Sequence, residues 1–220
     1  NKFDGQTIVL TYENGILKTG ATRGDGEVGE DVTLNVKTIK TIPLKLNKDV
    51  NLTVRGEVLI YKDNFEKINK QREKDGESLF ANPRNMAAGS IRQLDSKVAA
   101  KRDLDCFIFN LEHIEGVELS SHSESLDYLK SLGFKVSEYK KFNNINEIFK
   151  ALNEKEEERK KLPYEIDGAV IKLDNLRDRE ILGSTNKNPR WAIAYKFSET
   201  KVKTLLKDII VNVGRTGTLT

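Results

Sequence analysis

Two short runs rich in β-branched residues, Gln6 to Tyr12 and Ile16 to Thr22, are joined through Glu13-Asn14-Gly15. Asn-Gly supplies the positive φ angles that a tight hairpin demands, so the chain opens as an antiparallel pair. Parallel strands would need a long crossover at this point. The pattern further on agrees. Asn51 to Ile60 alternates, with Val54, Val58 and Ile60 on one face and Thr53, Arg55 and Glu57 on the other, so Arg55 and Glu57 are expected side by side away from the core. Asp63 to Lys74 reads as an exposed helix and Cys106 to Leu111 as a buried strand. Ser123 to Leu132 and Ile145 to Lys161 read as helices, the second carrying a charge run that solvates its outer face. Ile166 to Leu173 and Trp191 to Phe197 read as strands, separated by a polar segment with its own short helix. A short helix ended by Pro43 and a turn at Asn82-Pro83 are also expected. Antiparallel strands mixed with helices indicate an α+β domain rather than βαβ units.

Composition narrows the function classes. The 220 residues are 37% hydrophobic and 32% charged, enough for a sizeable core. No apolar run approaches the ~18 residues of a membrane-spanning helix. Lys and Arg number 37 against 34 Asp and Glu, a net charge of +3 that tolerates a polyanionic partner without requiring one. One cysteine, Cys106, and two separated histidines, His113 and His122, cannot build a disulfide framework or a closed zinc site. A reducing cytoplasm is the expected location. Absence of an initial Met, and a strand-like Ile209 to Val213 followed by the turn-like Gly214-Arg215-Thr216-Gly217, suggest a fragment at both ends.

Three constellations can carry chemistry. Gly24-x-Gly26-x-x-Gly29 matches the dinucleotide fingerprint letter for letter. That motif needs a parallel strand before it and a firm helix after it; here a hairpin precedes, and Val32, Thr33, Val36, Thr38 and Ile39 weaken the helix. Lys2 and Asp4, two apart at the head of a strand, are expected to project together. Lysine becomes nucleophilic when desolvation or nearby cations lower its pKa. Lys172 shares a face with Gly168 and Val170, and Lys196 with Ala192 and Ala194, so each cation sits beside small residues that leave room for a flat ligand. Lysines on otherwise buried strands point to a phosphate site, while edge-strand lysines that deter aggregation are the blander alternative.

The ordered series Lys2-Phe3-Asp4-Gly5, Arg23-Gly24-Asp25-Gly26, Val54-Arg55-Gly56-Glu57, Phe80 to Asn85 with Ala87 to Asp95, Ile166 to Lys172, and Trp191 to Phe197 resembles the motifs of bacterial NAD-dependent DNA ligases, with Val213 to Gly217 following. The resemblance covers nearly the whole chain. It implies a nucleotidyltransferase fold like that of DNA ligases and mRNA-capping enzymes, with an adenylation domain over 1–199. Residues 200–220 would be a linker and the first strand of an OB-fold domain. By resemblance, Lys2 is the residue adenylylated and Asp4 the carboxylate beside it. Arg23 and Glu57 lie at the nucleotide ribose, Glu57 also near magnesium. Lys172 and Lys196 contact the adenine and α-phosphate, Phe109 and Val170 sandwich the adenine, and Asp167 and Arg159 are further active-site positions. Arg84 and Arg92 match arginines of the later, DNA-engaging steps.

The resemblance also implies NAD and Mg²⁺ as cofactors, nicked duplex DNA as partner, action as a monomer, and a role in DNA replication and repair. Three departures qualify it. The glutamate that reads adenine, two residues before the motif lysine, has no counterpart in this sequence, and neither has the module that holds the nicotinamide mononucleotide half of NAD. Phe109 stands where tyrosine is common and is followed by Asn110 rather than glycine. Two other readings stay open. One is another lysine nucleotidyltransferase, such as an ATP-dependent ligase or an RNA-capping enzyme, which the match through Arg84 to Asp95 opposes. The other is a nonenzymatic basic module, whose nucleic-acid binding would depend steeply on salt and leave no covalent nucleotide.

Overall fold

The hairpin forms in the computed structural model, which describes residues 1–24, 28–185, 188–198 and 203–220. Strands β2 (Gln6–Glu13) and β3 (Ile16–Thr22) pair antiparallel, with Asn14 at φ +48° and Gly15 at φ +72° in the turn. β4 (Leu52–Leu59) pairs along the other edge of β2, and β5 (Asp105–Ile114) along β4, giving an antiparallel sheet of order β3-β2-β4-β5. A second sheet has order β1-β6-β7, from β1 (Lys2–Phe3), β6 (Ile166–Lys172) and β7 (Ala192–Lys196), again antiparallel. The chain therefore starts in the small sheet, crosses at once into the large one, and returns only at Ile166. Mixed helices and antiparallel sheets match the α+β expectation.

Helices α1 (Thr33–Val36), α2 (Lys62–Lys74), α3 (Pro83–Ile91), α4 (Ser96–Lys101), α5 (His122–Ser131), α6 (Ile145–Glu158) and α7 (Leu176–Leu182) surround the sheets. The main core follows the strand period: Ile8, Leu10 and Tyr12 of β2 and Val54 and Val58 of β4 pack with Met86 and Ile91 of α3 and with Leu126 and Leu129 of α5. A smaller cluster, Phe3, Leu59, Phe107, Ile166 and Phe197, joins the two sheets. In it the Phe3 and Phe107 rings stack at 4.7 Å.

Several local expectations are corrected. α1 stops at Val36, well short of Pro43, because its β-branched residues do not sustain a helix and the Asn35 amide instead bonds the carbonyls of Ile91 and Gln93. Asn82-Pro83 starts a helix instead of making a free turn: the Asn82 side chain accepts from the Asn85 N–H, and Pro83 occupies the first turn, where no N–H is missed. Ile209 to Val211 form no strand; pairing begins only at Asn212, which exchanges backbone hydrogen bonds with Thr220, and Val213, which bridges Leu219 around Gly217 at φ +81°. The segment before the glycine-rich loop is antiparallel β3, so the dinucleotide fingerprint lacks its fold context; Asp25 and Gly26 lie outside the described residues.

Candidate functional site

Phe3 fixes the position of Lys2. Phe3 is buried in the inter-sheet cluster, and its neighbour along the two-residue strand turns the other way. The register pairs Lys2 with Gly168 and Phe3 with Ile166. The Lys2 amine donates to both carboxylate oxygens of Asp167, at 2.7 and 2.5 Å. Gly5 then lets the chain press against β4: a Cβ there would meet the Val58 carbonyl oxygen at 2.1 Å. This contact lets the Gly5 N–H donate to the Glu57 carboxylate, which also accepts from Thr7 Oγ1 at 2.8 Å. Burial pushes the Glu57 carboxyl up to about 7, against the opposing pull of those hydrogen bonds and of Arg84 and Lys2. From the start of α3, Arg84 reaches Asp4 at 3.2 Å.

Lys2 and the polar side chains around it, Asp167 excepted, face one cavity of about 1320 Å³. Lys2, Asp4, Glu57 and Arg84 line it together with Arg23. Phe109, Val170 and Lys172 line it as well, supplying an aromatic ring, a half-exposed branched side chain and a cation. The Lys172 ammonium lies 3.1 Å from the Phe109 carbonyl oxygen, 3.3 Å from Asn110 Oδ1 and 3.3 Å from His122 Nε2. It also sits 5.4 Å from the centre of the Phe109 ring. Burial first, then Arg179 and Arg55, lower the Lys172 pKa to about 8 against the pull of Glu112.

The remaining expected residues lie elsewhere. Asp167 is not on the cavity wall but holds the Lys2 amine. Arg159 donates to the Ser198 carbonyl at 2.9 Å and lies over the Phe197 ring at 5.3 Å, bracing the end of the small sheet. Arg92 pairs with Glu30 at 2.7 Å. Lys196 is exposed and off the cavity wall, so the expectation of two lysines on buried strands is corrected: β7 is the sheet's edge, while Lys172 is on the central strand. Lys2 and Asp4 do not pair with each other. Nor do Arg55 and Glu57, although both line the cavity; Arg55 pairs with Glu112 on β5 at 3.1 Å.

Thr7, Asn110 and His122 were not expected here. For Thr7 the alternation of β2 could have given the signal, since it faces away from the core formed by Ile8 and Leu10. No comparable local signal exists for His122. No cluster of three or more His, Cys, Asp or Glu side chains suited to a metal occurs among the described residues.

Comparison with known sequences identifies the family. The sequence model of the NAD-dependent DNA ligase adenylation domain matches residues 1–200. The chain is 59% identical over 220 residues to a DNA ligase of Thermoanaerobacter sp. (strain X514), covering 100% of the chain and 33% of that protein. It is 57% identical over 220 residues to a DNA ligase of Clostridioides difficile (strain 630) and 53% identical over 220 residues to one of Brevibacillus brevis, each time covering the whole chain and 33% of the relative. The chain thus spans about a third of the length of these curated relatives. By this match and the ordered motifs that meet around one cavity, the chain belongs to the NAD-dependent DNA ligase adenylation domain family.

Proposed function

We propose that this chain is the adenylating part of an enzyme that seals nicks in duplex DNA with NAD, through a lysine-AMP intermediate. The observation that carries the reading is the Lys2 amine, held by Asp167 in a cavity that also presents Lys172, Phe109 and Val170. In the first step the Lys2 ammonium gives up a proton to water, the lone pair of the resulting amine forms a bond to the adenylyl phosphorus, and the bond to nicotinamide mononucleotide breaks with its electron pair leaving on that group. As the N–P bond forms a remaining proton on the nitrogen becomes acidic, and Asp167, bonded to that nitrogen at 2.5 Å, is the proposed acceptor. The AMP then passes to the 5′-phosphate of the nick, and the 3′-hydroxyl displaces it.

The residues suit an adenylyl group. Phe109 offers a π face and Val170 a flat apolar one for adenine. Arg23 and Glu57 are the proposed ribose contacts, and Lys172 and Lys196 the proposed adenine and α-phosphate contacts. Lys196 fits that role through register: it and Lys2 both pair with Gly168, so two cations flank a residue with no side chain. Arg159 is the proposed brace of the site, and Arg84 and Arg92 the proposed groups for the DNA steps. Mg²⁺ takes few protein carboxylates and completes its shell with water and phosphate, so one carboxylate such as Glu57 suffices for it. When bound it would neutralise charge on the phosphoryl oxygens.

The proposal extends to a nucleotidyltransferase fold over 1–199, with 200–220 as linker and first strand of an OB-fold domain, and to a cytoplasmic monomer in DNA replication and repair. No helix among the described residues is long and apolar enough to cross a membrane. Intact-mass analysis of a ligase of the relatives' full length carrying this chain, incubated with NAD and Mg²⁺, should show one added AMP. Lys2→Ala should abolish it. An adduct that persists in Lys2→Ala overturns the reading.

A further inference from the structure

An ammonium group has three N–H donors and no acceptor. Lys172 meets three acceptors within its reach: the Phe109 carbonyl, the Asn110 side-chain oxygen and His122 Nε2. The third of these works only in one protonation state. A protonated imidazole has no lone pair, and two cationic donors at 3.3 Å would repel.

We propose that His122 is a positioning residue of the nucleotide site: its neutral ring, carrying its proton on Nδ1, accepts a hydrogen bond from Lys172 through Nε2 and sets where that ammonium points. The inference rests on the reading of the cavity as a nucleotide site.

The fold places this ring deliberately close to the lysine strand. The His122 backbone N–H donates to the Asp174 carbonyl at 2.8 Å. Ser123 donates to the Asp174 carboxylate from its backbone N–H at 2.8 Å and its hydroxyl at 2.9 Å. Asp174 lies two residues beyond Lys172 in the sequence, so one short segment carries the ammonium and also fixes the first turn of α5. Asn110 adds the side-chain oxygen that a glycine at that position could not offer.

The surrounding charges favour the neutral ring on balance. Lys172 and Arg179 face the ring as cations, Asp174 opposes them, and Arg55 and Glu112 sit around the lysine. His113 lines a smaller cavity on which His122 also borders. Burial first, and then Lys172 and Arg179, hold the His122 pKa down at about 3, so the ring stays an acceptor at neutral pH. With all three donors engaged, an entering nucleotide oxygen must replace one acceptor of Lys172. The cage therefore presents a fully oriented cation without a competing carboxylate bonded to it.

Two measurements test this without using NAD. In a long-range ¹H–¹⁵N spectrum of the unmodified chain, His122 should show the neutral Nδ1–H form from pH 7 down to about 5, well below the ~6.5 of an ordinary histidine. An Nε2–H form, or titration near 6.5, overturns the proposal even if no variant folds. In the second, His122→Leu removes an acceptor from Lys172 and so lowers its pKa further. Acetylation of Lys172 below pH 8, read by peptide mass spectrometry, should speed up several-fold in His122→Leu, AMP affinity should fall by about tenfold, and His122→Gln, which keeps an acceptor, should restore both. Equal acetylation in His122→Leu and the unmodified chain, or no rescue by His122→Gln, overturns it. Loss of the Lys2 adduct reading would leave the tautomer and acetylation results standing, so the two failures are distinguishable.

Discussion

Phe109 and His122 approach Lys172 from different sides, one through its carbonyl and ring and the other through a ring nitrogen, and they predict different consequences. If adenine lies on Phe109, Phe109→Ala removes a stacking surface and should weaken AMP binding by ~1 to 3 kcal/mol, the range for base-aromatic stacking. A calorimetric titration showing unchanged affinity would remove Phe109 from the site. His122 predicts a pH effect on stability. Its folded pKa of about 3 lies below the ordinary value of 6.5, so between these values the unfolded chain holds a proton that the folded chain does not. Stability from this group is present above 6.5 and is lost as pH falls towards 3. Acidification from pH 7 to 5 should therefore cost the unmodified chain about 2 kcal/mol more than His122→Gln, measured by urea unfolding at each pH. Parallel pH profiles for the two proteins would show that His122 does not titrate abnormally.

Among the elements, β1 has the greatest influence for its length. It is two residues long and cannot persist alone; pairing with β6 and insertion of Phe3 between the sheets hold it. Phe3→Ala should destabilise the fold by ~3 to 5 kcal/mol, as for other buried aromatics, and weaken AMP binding as Lys2 loses its anchor. Denaturant unfolding with a loss under 1 kcal/mol would mean that β1 is held some other way. The same strand shows what sequence alone conveys. The Asn14-Gly15 hairpin, the alternation of β4 and the helices α2 and α5 were legible because a local pattern specifies each. The motif singled out Lys2 as the proposed nucleophile, but its bond to Asp167 was not legible, since 165 positions separate the two residues. Asn82-Pro83 is a local signal with two outcomes, a turn or a capped helix start, and only the residues after it decide between them. Whether a lysine lies on a central or an edge strand is a property of sheet order, which is why Lys172 and Lys196 looked alike in the sequence and differ in the fold. His122 had no legible role at all, because the Asp174 contacts that aim it come from the bend after β6, 52 residues away (174 − 122).

At the scale of the whole molecule, the chain spans about a third of the length of its curated relatives, and under the proposed reading its cavity would take the adenosine and phosphate of a dinucleotide. Adenylyl transfer from NAD needs more than this. The leaving nicotinamide mononucleotide must be held in line with the Lys2 amine, and positioning of reacting groups can be worth ~7 to 11 kcal/mol of a barrier. The motif resemblance proposes residues for adenine, ribose and α-phosphate, and none for the nicotinamide half. These 220 residues alone should therefore bind AMP yet transfer it from NAD to Lys2 far more slowly than the same residues within a ligase of the relatives' full length. Self-adenylylation with radiolabelled NAD, run on both proteins at equal concentration, decides the matter. Binding of AMP to the short chain serves as the control, because it separates a folded but incomplete site from a damaged one. If the short chain binds AMP and matches the long one in rate, then all the groups that orient NAD lie within these residues, and the nicotinamide half must be sought along the rest of the same cavity, whose wall also includes Lys141 and Lys155.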